Sequence, residues 1–225
     1  MDTAFFVALG ASFALNGLIM AVFNWMSNTA RFDKYRIRIP KSPQIPPLRK
    51  WLNVSLNGLF STALLFAFLY VFGNRVIVAG LPPSFAAFVG ETLGVLLLYD
   101  FMYYFLHRFM HNKLVLRHVH RTHHLIRFPT APESIYLHPA ENFAGIGLLL
   151  LAVSLFGPVS ATSFIIVWFI YSIVNVLVHT NFVFPHPAFR LFNFWTTKHD
   201  THHFRMTYNY ASIFPFWDQA FGTDK

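Results

Sequence analysis

An all-α integral membrane bundle of about four spans, under a histidine-rich helical cap, follows from three observations. The 225-residue chain is 55% hydrophobic and only 12% charged, against roughly 25% charged in soluble domains. Its mean hydropathy is +0.46. Four apolar regions are long enough to cross a bilayer, which takes about 20 residues each. Ten of the 12 histidines fall in clusters or positions with metal-ligand spacing, and those clusters sit just after the apolar stretches.

Residues 4–26 form the first span, 51–73 the second and 84–106 the third, which carries Glu91 and Asp100. Residues 142–180 form a fourth region, broken at Gly157-Pro158 into arms 142–156 and 160–180. That region reads as a helical hairpin whose first arm crosses only in part. The proline-rich segment 39–48 reads as an extended connection at the interface. The length fits one membrane domain, 1–225. Within it lie three spans (1–106) with a basic loop at 27–50, a cap formed by 107–141 and 181–225, and the hairpin.

Charge sets the orientation. The first span has no basic residue ahead of it, unlike a secretory signal, and reads as an anchor with its N-terminus outside. Of the Lys and Arg residues, only Arg75 falls away from segments 27–50, 107–141 and the tail after 181. If the chain crosses at each span, the basic residues and all the histidine boxes share one side, the cytoplasmic one. The expected location is a bacterial inner membrane or the endoplasmic reticulum. A net charge of +8 in such a chain points to anionic headgroups or an acidic partner before nucleic acid.

The boxes read HRFMH (His107, His111), HVHRTHH (His118, His120, His123, His124) and HDTHH (His199, His202, His203), with His179 in HTN. A helix brings residues three and four apart onto one face. HxxxH therefore aims two nitrogens at one point, and HxxHH aims three. His118 lies about 200° round a helix from His120 and points elsewhere. His138, in LHPAE, and His179, at the end of the last arm, are candidate further ligands. His186, in FPHP, reads as an interface residue. With no cysteine the donors are N and O, which suits Fe, Zn or Cu. One ion takes about three or four protein ligands, so eight to ten histidines fit two ions.

Asp100, Tyr103, Tyr104, His107 and His111 recur at helical spacing. A carboxylate inside a span has a partner. Asp100 is therefore either a ligand, an acceptor that orients a ligating imidazole, or an acid paired with a Tyr hydroxyl or a neighbouring helix. Glu91, about half a turn away, has no assigned role. Two metals at a membrane face serve either O2 chemistry on a lipid C–H bond or hydrolysis. Acids near the boxes are few: Glu133, Glu141 and Asp200. A metal transporter needs polar residues along its spans, and the first two offer little beyond Asn16, Ser27 and Asn57. A metal-stabilised scaffold without catalysis is the third class.

Over about residues 97–223 the chain resembles the fatty acid hydroxylase/sterol desaturase superfamily of membrane di-iron enzymes. The resemblance rests on LYDFMYYFLHRFMH, HRTHH, RFPTAPESIYLHPAE, VHTN, KHDTHH and NYASIFPFWDQAFGT. It is closest to C-4 sterol methyl oxidases in the ending and to C-5 sterol desaturases in the PT…HP stretch. It implies two irons bound by His107, His111, His120, His123, His124, His199, His202 and His203, with His138 and His179 as extra ligands. It implies O2 as cosubstrate and a lipid entering between the helices. Electrons are expected from a separate donor such as cytochrome b5 or ferredoxin, with an acidic carrier suited to the basic face. Asp100, Tyr104 and Asp218 form the expected catalytic set, with Asp218 accepting a bond from a ligating His. Phe214, Phe216, Trp217 and Phe221 are expected to seal the site against the bilayer.

Overall fold

The computed structural model describes residues 1–40 and 44–225. Five helices are long and apolar enough to cross a membrane: α1 (Thr3–Ser27), α2 (Pro47–Val76), α3 (Phe85–Met110), α6 (Pro139–Phe156) and α7 (Ala161–Val178). Between α3 and α6 lie two short helices, α4 (Lys113–Val115) and α5 (Arg121–His124), joined by a π-turn, Leu116–His120. After α7 come α8 (Arg190–Arg205) and α9 (Phe216–Ala220). The expected all-α membrane bundle is the fold observed, with five spanning helices where the sequence indicates about four.

Local chemistry starts and stops these helices. The side chain of Asp2 accepts from Phe5 N at the head of α1, and Ser84 accepts from Ala87 N at the head of α3. Pro47 and Pro139 occupy first turns of α2 and α6, where a missing N–H costs nothing. Gly157, at φ 108, ends α6 in a conformation that disfavours side chains with a Cβ. Of the proline-rich connection, residues 41–43 lie outside the described residues. Gln44 binds the backbone of Arg127 and Phe128, and helix α2 already begins at Pro47.

The chain alternates between two ends. At one end β1 (Ile77–Val78) pairs in parallel with β2 (Val159–Ser160), joining the foot of α2 to the α6–α7 turn. Glu91 of α3 fastens the same turn by accepting from Ser160 N and Oγ. Nothing in the local sequence signals this pairing. It also corrects the partly crossing arm, because α6 runs 18 residues to that end, about 27 Å, close to a hydrocarbon core of about 30 Å. At the other end, after α1, Ile37 and Val183 pair with Asn181 and Tyr35. All the histidine boxes lie at this end.

Helix α3 packs on α6 and α7, α1 on α7, and α2 on α6. The core between them includes Leu65, Leu69, Val95, Leu149, Phe164 and Val167. Helix α3 meets the end of α6 at Gly94, where an added Cβ would stand 2.2 Å from the Phe156 ring and make that ring turn away. The outer faces are equally apolar: Val7, Leu59 and Tyr70 are 66%, 69% and 92% exposed. Such a surface suits lipid and not water. The protein is a multi-pass membrane protein.

Candidate metal centre

Four pieces of chain bring histidines to one place. The last turn of α3 carries His107, and its C-cap is His111. The run 113–124 carries His120, His123 and His124. His179 caps the end of α7, and α8 carries His199, His202 and His203. Nine rings assemble into two groups. His107, His111, His120, His124 and His202 form one; His123, His179, His199 and His203 form the other. Within each group, one nitrogen per ring lies within 4.8 Å of all the others. The groups touch: the rings of His124 and His203 are 4.7 Å apart.

Each HxxHH box is shared between the groups, which corrects the expectation that its three nitrogens meet at one point. His120 and His124 turn to the five-membered group and His123 to the other. His199 and His203 turn to the four-membered group and His202 to the other. The i,i+4 pair stays together, about 40° apart on the helix, while the third ring faces a different way. The π-turn ahead of α5 shifts the phase of that box.

The rings are held from behind. His107 Nδ1 donates to Tyr210 O at 2.8 Å, His202 Nδ1 to Tyr208 O at 2.7 Å, His179 Nδ1 to Asn175 O at 2.6 Å and His203 Nδ1 to Ile126 O at 3.1 Å. His120 Nδ1 meets Glu141 Oε1 at 2.8 Å. A carbonyl only accepts, so these rings carry their proton on Nδ1 and turn a bare Nε2 inward. Burial first, and then the neighbouring imidazoles, hold His124, His199 and His203 well below the ordinary imidazole range. Burial pushes His111 down to about 3. Neutral rings with converging lone pairs are a cation site.

The spacing of those nitrogens tests the fit. Consecutive Nε2 atoms in the first group lie 3.1, 3.0 and 3.2 Å apart, from His111 to His120 to His124 to His202. In the second they lie 3.2, 2.8 and 3.1 Å apart, from His123 to His179 to His199 to His203. Nitrogens about 2.1 Å from one ion are ~3.0 Å apart at a right angle and ~3.4 Å apart at the tetrahedral angle. The observed values lie close to the spacing of neighbouring ligands on one ion, so the donor set fits a metal ion in each group, with nitrogen ligands throughout.

Several expected site residues do other work. Asp100 touches no histidine; its carboxylate accepts from Ser212 N, Ile213 N and Phe214 N. Asp218 accepts from Tyr210 N, Ala211 N and the Thr223 hydroxyl, and again from no histidine. Tyr104 pairs its hydroxyl with Thr223 and Arg108 and stacks on Phe221. All three fasten the C-terminal strap that follows α8, residues 206–225, whose Tyr208 and Tyr210 carbonyls hold His202 and His107. They act one step behind the rings. His138 stands outside both groups because its Nδ1 accepts from Ala140 N as the cap of α6. His118 is exposed on Leu114 O, and His186 caps a short 3-10 turn. Glu141, which the sequence offers merely as one of the few acids near the boxes, holds His120. A carboxylate at the head of an apolar helix with no basic neighbour in sequence is the signal that could have found it.

A cavity of about 60 Å³ opens on the second group, lined by His107, His123, His179 and His199 with Tyr99 and Tyr103. Leu137, Asn142, Tyr171 and Asn175 form a wall shared with a hollow of about 320 Å³ between α1, α2, α6 and α7. Phe13, Met20, Ile146 and Trp168 line that hollow.

Residues 92–223 match the family model described as fatty acid hydroxylase. The chain is 32% identical over 149 residues to methylsterol monooxygenase 1 of Rattus norvegicus, covering 63% of this chain and 49% of the relative. It is 33% identical over 151 residues to the very-long-chain aldehyde decarbonylase GL1-11 of Oryza sativa subsp. indica, covering 64% and 55%. With methylsterol monooxygenase 1-3 of Arabidopsis thaliana it shares 28% over 237 residues, covering 95% and 75%. The chain thus spans about half the length of the rat and rice relatives. No solved structure matches.

Proposed function

Because the chain belongs to the fatty acid hydroxylase family, we propose that it is a membrane oxygenase that uses O2 and external electrons to hydroxylate or desaturate a lipid, a sterol or a related molecule. The observation that carries this reading is the pair of inward-facing imidazole groups beside a cavity that adjoins an apolar hollow. Two iron ions are its metals, one in each group, with the nine grouped histidines as ligands. The methylsterol monooxygenase relatives support the sterol class. The basic segments at the histidine end support a cytoplasmic position for that end.

Iron so held supplies the reduction of O2 and the oxidation of an aliphatic C–H bond. The protein's part is preparation. Backbone carbonyls fix five-membered-group rings His107 and His202 and four-membered-group rings His179 and His203, so their lone pairs need no rearrangement to bind metal. Glu141 accepts the Nδ1 proton of His120 and makes that ring a stronger donor. The hollow between α1, α2, α6 and α7 admits an apolar chain from the bilayer. Tyr171 and Leu137, on the shared wall, bring it to the histidine-lined cavity and exclude water around the reacting carbon. Asn16 and Asn57 are engaged in bonds to Ser172 and Asn142 across helices, which argues against an ion path along α1 and α2.

Lipid profiling by mass spectrometry of cells with and without the protein tests the reading. A lipid that gains one oxygen or loses two hydrogens is the expected result. An unchanged lipidome, together with no O2-dependent product from iron-loaded protein and a chemical reductant, would overturn it.

A further inference from the structure

A separate groove of about 620 Å³ is lined by Lys113, Arg117, Arg121 and His124, with Leu116, Leu125 and Met206 between them. It shares no lining residue with the hollow or with the cavity on the second group. The three cations stand four residues apart along the run 113–124 and are exposed. None has a carboxylate within ion-pair distance among the described residues. The acids of this end are already engaged: Asp33 with Arg36, Glu133 with Lys50, Asp200 with Arg38, Asp224 with Lys198 and Glu141 with His120. The groove is therefore a concave, uncompensated positive surface.

Its floor matters as much as its charge. His124 belongs to the five-membered group, lies 3.2 Å Nε2 to Nε2 from His202, and meets the His203 ring of the other group at 4.7 Å. Its Nδ1 is buried without a hydrogen-bond partner, unlike the Nδ1 atoms of the rings fixed from behind. A molecule seated in the groove is one imidazole away from both groups.

The proposed reaction needs such a molecule. Hydroxylation converts R–H, O2, two electrons and two protons to R–OH and one water. Desaturation with the same inputs gives an alkene and two waters. Both draw two electrons from outside the lipid. We propose that this groove is the docking site of an acidic one-electron carrier protein, which visits twice per turnover. The inference rests on the oxygenase reading and names the partner of that centre. Charge complementarity selects the partner. An anionic lipid headgroup is the competing occupant.

The test measures binding of two acidic carriers, a soluble cytochrome b5 domain and a plant-type ferredoxin, to the iron-loaded protein in zwitterionic nanodiscs. Wild-type protein is expected to bind at least one of them, with affinity falling as salt rises. The triple charge reversal K113E/R117E/R121E is expected to weaken binding by about tenfold or more. Arg117→Glu alone is expected to show a smaller loss, and Arg190→Glu, outside the groove, none. Iron content of each variant reports that the cap has folded. Salt-independent binding, absence of binding by both carriers, or equal binding by wild type and the triple variant would overturn the proposal. So would a triple variant that keeps carrier binding but loses binding to phosphatidylglycerol vesicles, which would make the groove a headgroup site. Failure of the wild type to oxidise lipid with dithionite would count against the oxygenase reading instead, and would leave the binding result standing.

Discussion

The five-histidine and four-histidine groups share one donor type and differ in what surrounds them. The first includes Glu141 behind His120 and both carbonyls of the C-terminal strap behind His107 and His202. The second has only backbone carbonyls behind it, at Asn175 and Ile126. Three of its four rings line the cavity, against His107 alone from the first group. The first group instead reaches the basic groove through His124. The lesson is a division of labour: the better-supported group reaches the basic groove, and the group with fewer donors lines the cavity that adjoins the apolar hollow. On the proposed reading, the second group, with fewer protein nitrogens, would leave more room at its ion for O2 and substrate.

Removing a ring from the smaller group should break this arrangement most severely. His123→Ala should lower iron content and abolish product, whereas His111→Ala, from the group with one donor to spare, should keep more iron. Metal analysis beside product mass spectrometry checks both, and full activity in His123→Ala would contradict its assignment. Glu141→Gln comes next. It should weaken iron binding by about 10–100-fold, read by titration with a competing chelator, and the loss should fall on the first group only.

The strap gives smaller effects. Asp100→Asn removes a charged acceptor shared by three backbone N–H groups and should cost about 1–3 kcal/mol of stability, seen as a lower melting temperature in detergent. Iron content should fall less than in Glu141→Gln, because Asp100 acts through the strap and not on a ring.

Acid should test both groups at once in metal-free protein. The buried rings have their pKa values depressed, so they stay neutral in the folded state when unfolded rings, near 6.5, take up protons. Stability is therefore greatest above about pH 6.5 and falls as pH drops below it, with His111 resisting protonation to about 3. A melting temperature that rose on acidification would contradict that sign. Glu91→Gln, at the far end of α3, should leave iron content unchanged and lower the melting temperature only slightly, because its carboxylate binds the Ser160 turn and no histidine.

Much of this comparison is open to sequence reasoning, and its division is not. Apolar length locates the spanning helices, helical spacing finds eight rings that do come together, and the end of the last span adds His179. Spacing fixes angles about one helix axis, however, and not which of two neighbouring points each face meets. That depends on how α5 and α8 cross and on the π-turn at 116–120, so the splitting of the boxes lies beyond it. Asp100 and Asp218 have the buried partners that a carboxylate in such a chain needs. The partners of Asp100 are backbone N–H groups more than a hundred residues away, which only the tertiary fold supplies, whereas those of Asp218 lie within eight residues of it. Glu141 and His138 escape sequence reasoning for related reasons. Glu141 has the position of a helix-end acid and instead holds His120. His138 has the appearance of a ligand and instead caps α6.

Mössbauer spectroscopy of protein produced with 57Fe, calibrated against protein concentration, bears most directly on the central claim that the two imidazole groups each hold an iron. Two irons per chain are expected, both high-spin and nitrogen-rich, with one of them lost selectively in His123→Ala. A single iron in active protein, or full activity with stoichiometric zinc and no iron, would contradict it.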